Sequence, residues 1–539
     1  MPHPTRPGVA IWLLSLWNCL IESTLRETQP SDERQSEVDL CAHSRATIAV
    51  TLARRPSAGG AELASLPAEV NCLELRADLA GDFDPDWLRA RFPGTLLYSL
   101  RSAASGGAAR LSESARRDRL IRAGAGHDLV ELEGERDLTR EIVAAIPPHR
   151  RVISWHGPAC PASSLTSRFR AFSETPARLY RFVSAVERPG DELESLIFLA
   201  GLRRSDAIAY GDAPHACWTR LLAPRLGSPV VFGGLDRQER DPAEPSVYRL
   251  IEHYGLARLD PVNQIFGIVG ANVHHSLSPQ LHNAAYRALG IPALFLSFPV
   301  DSFARFWSRM VEAPALADAG FPIDGLTVAS PFKEEALGRA VEVSAMARRA
   351  GSSNLLHRTP RGWVADTTDS EGVLPLLRER RISPARRAAV VGCGGSGRAV
   401  AASLAMAGAT VTLVNRGLER GRRATQLLGM SFVPLSEFSV RGYSLVVNAT
   451  PVGSTLNDLP FAIEGLGEDA VVVDQVYGDH PTSLMTRTRA LGRVGIDGRE
   501  VLLSQVRRQF ELMVGRGMPV TGARHVLGLD APATVTMRQ

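Results

Sequence analysis

The chain has 539 residues, of which 45% are hydrophobic and 22% charged, and this composition excludes a disordered, fibrous or membrane-embedded protein. At roughly 100–200 residues per domain, the length predicts about three or four folding units. Lys and Arg total 61 against 57 Asp and Glu, and the resulting charge of +4 is too dilute for a nucleic-acid-binding surface. We therefore expect small-molecule partners, with neither nucleic acid nor a membrane; no oligomeric state is predicted.

Residues 1–44 precede the first predicted strand and are interpreted as a disordered or signal-like extension. Val9–Ile21 is largely apolar, but its 13 residues are too few for a membrane span of about 20, and no small-x-small cleavage site follows. The six cysteines form no CxxC pair and have no histidine at metal-ligand spacing. We expect a cytoplasmic protein with reduced thiols and no metal, and keep secretion as the alternative.

Short β-rich segments recur between residues 45 and 250, each followed by enough chain for a helix. The predicted strands are Thr47–Ala53, Cys72–Asp78, Thr95–Arg101, Leu129–Gly134, Arg151–His156, Arg178–Ala185, Ala207–Asp212 and Pro229–Leu235. Strands that alternate with helices are parallel, and eight of them close into a (β/α)8 barrel. An open doubly wound sheet is the alternative.

Polar side chains stand near the ends of several of these strands. Glu74 and Arg76 lie two residues apart and therefore share one face of the second strand. Arg101 ends the third strand, His156 ends the fifth, and Arg220 precedes the eighth. Barrel enzymes carry their chemistry at the carboxyl ends of the strands, so these residues are candidate site residues. Taken singly, each could instead be a solvated or ion-paired side chain.

A second pattern begins after Leu259-Asp-Pro261, where strand Ile265–Gly270 is followed by a loop and a predicted helix. Ser276, Ser278 and Pro279 stand at the junction between loop and helix. This cluster suits a helix N-terminus with proline in its first turn. Two hydroxyls at such a junction would equally suit a polyhydroxylated, carboxylated ligand, and both interpretations stay open.

Lys333 is the only lysine of the chain, since every other basic residue in the Lys and Arg count is arginine. It follows a predicted strand in Thr327-Val-Ala-Ser-Pro-Phe-Lys333, and Asp369 closes Asp366-Thr-Thr-Asp369 after another. Solvated surface charges are the alternative for both. A lysine kept in an otherwise arginine-only chain suggests a task that arginine cannot perform, namely releasing and regaining a proton.

A glycine-rich turn lies between the predicted strand Arg387–Val391 and the predicted helix Ala399–Met406. Close approach of the backbone to a pyrophosphate requires glycine, and a helix N-terminus stabilises the anion. The strand–turn–helix context therefore predicts a dinucleotide site. Its candidate cofactor-binding residues are Gly392, Gly394, Gly395, Ser396 and Gly397.

The next predicted strand, Thr410–Val414, indicates which dinucleotide binds. An NAD enzyme is expected to carry an acidic residue at this strand end for the ribose hydroxyls. Asn415, Arg416 and Arg420 stand there instead and suit a 2′-phosphate. We expect NADP as the cofactor.

With these residues identified, residues 263 to about 530 resemble shikimate dehydrogenase. Further matching segments are Gly351-Ser-Ser-Asn354, Asn448-Ala-Thr-Pro-Val-Gly453, Asp474-Gln-Val-Tyr477 and Leu503-Ser-Gln505. The resemblance implies a shikimate-binding domain over residues 263–375, completed by residues 503–530, around an inserted NADP-binding Rossmann domain over residues 384–500. It further implies that Lys333 and Asp369 are catalytic and that Asn448 and Thr450 contact the cofactor. The shikimate-binding residues it implies are Ser276, Ser278, Asn354, Asp369, Tyr477 and Gln505.

The N-terminal stretch, over residues 45–250, resembles the type I 3-dehydroquinate dehydratases. Matching segments are Glu74-Leu-Arg-Ala-Asp78, Arg101-Ser-Ala-Ala-Ser-Gly-Gly107, Ser154-Trp-His-Gly157 and Thr219-Arg-Leu-Leu-Ala-Pro224. The resemblance implies that Glu74, Arg76, Arg101 and Arg220 surround the substrate. His156 would be the acid/base.

One departure from this family concerns its chemistry. The family forms a Schiff base on a lysine of the sixth strand, but the corresponding segment here is Leu179-Tyr-Arg-Phe-Val183. A guanidinium does not lose its proton and cannot attack a carbonyl, so Arg181 cannot replace that lysine. Ser105 and Glu244 also differ from the family's glutamate and glutamine.

Three functional hypotheses follow. The first is an NADP-dependent shikimate dehydrogenase fused to a dehydratase-like barrel whose own activity is impaired. The second is a fully bifunctional enzyme. The third, from another class, is a ligand-sensing regulator, which the proton-donor candidates and the glycine-rich turn disfavour because a sensor needs neither.

Overall fold

The computed structural model describes residues 46–57, 59–237, 243–256, 258–453, 458–478 and 480–529. The extension expected for residues 1–44 lies outside these residues. Within them, no helix is both long and apolar enough to cross a membrane.

Eight parallel strands form the N-terminal sheet, in the order β7-β6-β5-β4-β3-β2-β1-β8. They are β1 Thr47–Leu52, β2 Val70–Arg76, β3 Thr95–Ser99, β4 Leu129–Glu133, β5 Arg151–Pro158, β6 Leu179–Ala185, β7 Ala207–Asp212 and β8 Val230–Gly234. The last strand pairs in parallel with the first, as barrel closure requires. All eight predicted strands form, with ends shifted by at most two residues.

A contact across the sheet excludes the open doubly wound alternative. Nη1 of Arg181 on β6 lies 2.7 Å from Oε1 of Glu74 on β2. In a flat sheet these strands would be four steps, or about 19 Å, apart, which a side chain cannot span. The sheet is therefore curved into a nearly closed barrel. An interior layer that includes Ala49, Leu97 and Ile208 fills it.

Helices cover the outside of the barrel because the faces of a parallel sheet are apolar and must be buried. The barrel helices are α1 Ala61–Ala64, α2 Ala77–Ala80, α3 Pro85–Arg89, α4 Glu113–Gly126, α5 Arg140–Ala145, α6 Ala162–Ser173, α7 Leu193–Leu202, α8 Thr219–Leu222 and α9 Val247–Glu252. One example is α6, which buries Leu165, Phe169 and Phe172 in an apolar cluster with Ile153 and Phe182 of the sheet.

A mixed sheet follows, in the order β10-β9-β11-β13-β14-β12. Its strands are β9 Gln264–Gly270, β10 Ala293–Pro299, β11 Ile323–Val328, β12 Glu342–Val343, β13 Leu355–Thr359 and β14 Gly362–Asp366. The associated helices are α10 Ser278–Leu289, α11 Phe303–Phe306, α12 Ala315–Asp318, α13 Ala345–Ala350 and α14 Leu374–Glu379. A π-helical turn spans Trp307–Glu312.

The third sheet is parallel and has the order β17-β16-β15-β18-β19-β20. Its strands are β15 Arg387–Val391, β16 Thr410–Asn415, β17 Ser431–Pro434, β18 Leu445–Asn448, β19 Val471–Asp474 and β20 Val494–Ile496. Counted within the sheet, this is the 3-2-1-4-5-6 order of a Rossmann domain, with its switch point between β15 and β18. Its helices are α15 Gly395–Met406, α16 Leu418–Leu428 and α17 Ser483–Ala490.

The last helices, α18 Gly498–Val514 and α19 Val520–Val526, return to the mixed sheet. Asp497 caps α18, with Glu500 completing a capping box. Val506 and Phe510 of α18 pack with Phe266 of β9 in one apolar cluster. The chain thus leaves the mixed sheet, forms the Rossmann sheet and returns to the mixed sheet.

Candidate functional site

The glycine-rich turn connects β15 to α15 at the switch point of the Rossmann sheet. Gly392 has φ of 109°, in the left-handed region that favours glycine. A Cβ on Gly397 would lie 1.8 Å from the carbonyl oxygen of Gly392, so only glycine fits there. A Cβ on Gly394 would meet nothing within 4 Å, which leaves its backbone open toward the cavity above.

A cavity of about 730 Å³ lies over this turn. Gly392, Gly394 and Gly395 line one side of it, and Asn415, Arg416 and Arg420 line another. The Asn415 side chain also orders the turn, because its Oδ1 accepts a hydrogen bond of 3.1 Å from the Cys393 amide. Arg416 and Arg420 are exposed. The cavity therefore combines a backbone suited to a pyrophosphate with two solvent-facing guanidiniums.

Thr450 and Asn448 lie at the end of β18. Thr450 lines the cavity, whereas Asn448 is fully buried beneath it. Nδ2 of Asn448 donates to Oδ1 of Asp474 at 2.9 Å and to the Val452 carbonyl at 3.1 Å. Its Oδ1 accepts from the Thr450 hydroxyl at 2.7 Å. Asn448 thus shapes the loop that carries Thr450 rather than lining the cavity itself.

Lys333 lies where the mixed-sheet domain meets the cavity. Its Nζ donates to Oδ2 of Asp369 at 2.6 Å and to Oγ of Ser396 at 2.7 Å. Asp369 is 2% exposed, and its other oxygen accepts from Asn354 at 3.1 Å and from Gln505 at 3.3 Å. The structure therefore brings together five sequence candidates. The fifth is Ser396, a residue of the glycine-rich turn that was expected to bind the cofactor and whose hydroxyl accepts from the lysine.

The two serine candidates lie on the loop before α10. Oγ of Ser276 accepts from the Ser278 amide at 3.2 Å. Burial raises the pKa of Tyr477, and the nearby Ser276 hydroxyl partly offsets this increase. The start of this loop adjoins the lysine segment, since the Ala271 amide donates to the Ser330 carbonyl at 3.2 Å. The serine loop therefore lies beside the segment that carries Lys333.

Inside the barrel, Arg181 occupies the centre of a buried charge cluster. Oε1 of Glu74 accepts from Arg181 and from Arg101, each at 2.7 Å. Arg181 also donates to the Tyr210 hydroxyl at 2.6 Å and lies 3.6 Å from the centre of the Phe232 ring. Burial alone would raise the pKa of Glu74, but the Arg181 and Arg101 guanidiniums lower it to about 2. Glu74 in turn raises the pKa of Arg181 well above its usual value, against the effect of burial.

His156 lies beside this cluster on β5. Its Nε2 is 3.0 Å from Oε1 of Glu131, and Nε of Arg101 is 3.4 Å from the other Glu131 oxygen. Burial and the nearby Arg101 guanidinium lower the pKa of His156 to about 4. The imidazole is therefore neutral at neutral pH and can accept a proton.

The remaining barrel candidates occupy the same end of the barrel. Arg220 is 5% exposed, stacks 4.0 Å over the Tyr210 ring and donates to Asp212 at 3.1 Å. Arg76 pairs with Asp78 at 2.8 Å. Glu244 approaches Arg220, and burial raises the pKa of its carboxyl. Ser105 lies in the helical turn Ala103–Ser105 that follows β3.

Sequence reasoning did not assign Glu131, Tyr210, Thr368 or Gln509 to a site. Thr368 accepts from Asn354 at 3.1 Å and from Gln509 at 3.0 Å, and so supports the Asp369 segment. Glu131 had a usable signal, because Leu129-Val-Glu-Leu-Glu133 places two carboxylates at a spacing of two in an otherwise apolar strand. Among the described residues, no group of three or more His, Cys, Asp and Glu side chains could hold a metal ion.

The Rossmann domain carries a glycine-rich turn at its switch point, and a Lys–Asp pair lies beside this turn in a cleft. These features define a nucleotide-dependent oxidoreductase joined to a barrel. Family models match two consecutive parts of the chain. The type I 3-dehydroquinase model matches residues 48–261, and the shikimate dehydrogenase substrate binding domain matches residues 268–356. The chain belongs to the shikimate dehydrogenase family, and its N-terminal half is a type I 3-dehydroquinase domain.

Individual relatives agree with this assignment. A shikimate dehydrogenase (NADP(+)) of Halorubrum lacusprofundi is 37% identical over 271 residues, covering 48% of this chain and 95% of the relative. The chloroplastic bifunctional 3-dehydroquinate dehydratase/shikimate dehydrogenase of Arabidopsis thaliana is 25% identical over 479 residues, covering 83% of this chain and 78% of the relative.

The chain is also similar to two solved structures. Shikimate 5-dehydrogenase from Thermus thermophilus, in complex with NADP(H) and shikimate, is 30% identical over 49% of this chain and 98% of its own, with a TM-score of 0.45. Dehydroquinate dehydratase and shikimate dehydrogenase from S. pombe is 20% identical over 90% of this chain and 99% of its own, with a TM-score of 0.40.

Proposed function

We propose that this chain reduces 3-dehydroshikimate to shikimate with NADPH, in a cleft between residues 263–375 and the Rossmann domain over residues 384–500. The observation that carries the proposal is the Lys333–Asp369 pair, 2.6 Å apart, next to the glycine-rich turn. The named activity of the family's relatives supports the substrate. We further propose a cytoplasmic location, which stays a prediction.

The residues of the cavity fit NADP. Gly392, Gly394 and Gly395 leave the backbone accessible to a pyrophosphate, and Arg416 and Arg420 supply the cations for a 2′-phosphate. Bound NADPH supplies the hydride that a ketone needs to become an alcohol. The protein must then supply a proton to the oxygen of that ketone.

Lys333 is the residue proposed to supply this proton. Its Nζ is held between Asp369 and Ser396, so the ammonium has one fixed position in the cleft. Asp369 is buried and is itself fixed by Asn354 and Gln505, so it orients the ammonium and stabilises its charge. Ser276, Ser278 and Tyr477 are proposed to bind the hydroxyl and carboxylate groups of the substrate.

Steady-state kinetics of the full-length chain tests this proposal. Shikimate oxidation should be rapid with NADP and much slower with NAD at equal concentrations. A chain that folds but oxidises shikimate with neither cofactor would exclude the dehydrogenase function, and equal rates with both would exclude the proposed 2′-phosphate contacts.

For the barrel, over residues 45–250, we infer that Schiff-base dehydration does not occur. An imine requires a neutral amine, and the residue on β6 is Arg181, fixed by Glu74 and Tyr210. The neutral His156 beside Glu131 retains the ability to accept a proton. Binding of 3-dehydroquinate without imine formation is therefore the proposed behaviour.

Borohydride trapping tests this inference. The full-length chain is incubated with 3-dehydroquinate and borohydride, and its intact mass and tryptic peptides are measured. No adduct is expected on the barrel peptides. An adduct on a barrel residue would identify a nucleophile other than Arg181 and would favour the fully bifunctional enzyme.

A further inference from the structure

Two helices from different domains are held together by reciprocal arginine contacts. Arg249 of α9, the last barrel helix, donates from Nη2 to the His274 carbonyl at 2.7 Å. In return, Arg287 of α10 donates to the Glu252 carbonyl at 3.2 Å and the His253 carbonyl at 3.4 Å. The Glu252 and His253 carbonyls lie at the C-terminus of α9, where a positive charge is stabilising. Arg287 thus binds the backbone at the end of α9, whereas Arg249 binds the loop four residues before α10.

The Arg249 contact lies close to the proposed substrate-binding loop. His274 is two residues before Ser276, on the segment between β9 and α10, where Ala271, Asn272 and His275 are exposed. Between these exposed residues, Val273 is 2% exposed and its carbonyl accepts from the Ser276 amide at 3.1 Å. The hydrogen bond from the barrel fixes the next carbonyl, that of His274, and so restrains the peptide that leads to Ser276.

A buried tyrosine packs against Arg249. Tyr254, which follows α9, is 6% exposed, and the Arg249 guanidinium lies 6.0 Å from the centre of its ring. Ser297 of β10 donates from Oγ to the Val273 carbonyl at 3.4 Å. Two consecutive carbonyls of the loop are thus held from two sides, that of Val273 by the mixed sheet and that of His274 by the barrel.

We propose that Arg249 of the barrel is a positioning residue for the dehydrogenase, acting through the His274 backbone to hold Ser276 and Ser278 in their substrate-binding geometry. This inference rests on the proposed shikimate-binding role of those serines. Without Arg249, the loop becomes ordered only when the substrate binds. The conformational entropy lost in this ordering makes the binding free energy less favourable. The barrel then serves the dehydrogenase whether or not it performs chemistry of its own.

The test compares Arg249→Ala, Arg249→Lys and Arg309→Ala in the full-length chain. Arg309 is the matched control, because it also joins the two domains, donating to the Gly190 carbonyl at 3.3 Å, but it has no contact with the serine loop. For Arg249→Ala, KM and the calorimetric Kd for shikimate should rise roughly tenfold, the usual effect of one charged hydrogen bond. KM for NADP and kcat should change less than about twofold. Arg249→Lys should recover part of the shikimate affinity, and Arg309→Ala should match the wild type.

The outcomes separate this inference from the function on which it rests. Equal shikimate Kd values for the wild type and Arg249→Ala would overturn the positioning role and leave the dehydrogenase intact. An equal loss of shikimate and NADP affinity, or the same loss in Arg309→Ala, would show a general interface defect and also overturn it. Absence of shikimate binding and oxidation in the wild type would overturn the proposed function, and this inference with it.

Discussion

Nζ of Lys333 lies 2.7 Å from Oγ of Ser396, so the only lysine of the chain contacts the glycine-rich turn of the other domain. Ser396 belongs to the first turn of α15, and Lys333 follows β11 of the mixed sheet. The contact joins the proposed proton donor to the element proposed to bind the cofactor phosphates. Hydride and proton sources would thereby meet at one point of the cleft.

Replacing the proposed proton donor should affect turnover more than binding. Lys333→Ala and Asp369→Ala should each lower kcat for shikimate oxidation by roughly 10²–10⁴-fold, the usual contribution of a positioned acid or base. Lys333→Arg should be similarly slow, because arginine keeps the charge but does not release a proton at neutral pH. Steady-state rates and calorimetric shikimate binding measure both quantities. Turnover near that of the wild type in either alanine variant would refute the assigned proton transfer.

Cofactor choice should depend on Arg416 and Arg420. Changing both to Gln should raise KM for NADP at least about tenfold while leaving KM for NAD nearly constant, because only NADP carries a 2′-phosphate. Arg423→Gln is the control, since Arg423 lies on the same helix as Arg420 but pairs with Glu419 on the exposed surface. An equal effect of the double change on both cofactors would indicate a folding defect.

Two glycines of the turn should respond differently to alanine. In Gly397→Ala the new Cβ would lie 1.8 Å from the Gly392 carbonyl oxygen, so a loss of about 1–3 kcal/mol in stability is expected. Gly394→Ala meets no protein atom within 4 Å and should keep the thermal midpoint of the wild type. Its methyl group would nevertheless point into the cavity and should raise KM for NADP. An unchanged KM would place the cofactor phosphates elsewhere.

Glu192 should make the stability of the barrel depend on pH. It is 4% exposed, and burial raises the pKa of its carboxyl to about 7. Because this pKa is higher in the folded than in the unfolded state, the stabilisation is complete below about pH 4 and is lost as the pH rises through 7. The stability of Glu192→Gln relative to the wild type should therefore increase by on the order of 2 kcal/mol between pH 5 and pH 8.

Urea unfolding followed by tryptophan fluorescence measures this difference, since the Trp218 indole donates to Glu192 at 3.3 Å. Glu187→Gln on the exposed preceding loop is the control and should show no such trend. A constant difference between Glu192→Gln and the wild type across this pH range would contradict the raised pKa.

Local patterns predicted the elements of this fold well. The eight barrel strands and the strand–turn–helix of the nucleotide site depend on apolar runs and glycine placement, which neighbouring residues determine. The contact between Glu74 and Arg181 spans 107 positions and depends on closure of the whole barrel, so no local pattern predicts it. Ser396 was expected among the cofactor-binding residues, but the position of its hydroxyl next to Lys333 depends on how two domains meet.

The most direct test is to measure NADPH consumption by the full-length chain through the decrease in NADPH absorbance. With 3-dehydroquinate and NADPH alone, no consumption is expected, because the barrel with Arg181 forms no imine and supplies no 3-dehydroshikimate. Adding 3-dehydroshikimate to the same sample should start rapid consumption through Lys333 and Asp369. Consumption with 3-dehydroquinate alone that yields shikimate would contradict the proposal for the barrel, and no consumption after 3-dehydroshikimate is added would contradict the proposal for the dehydrogenase.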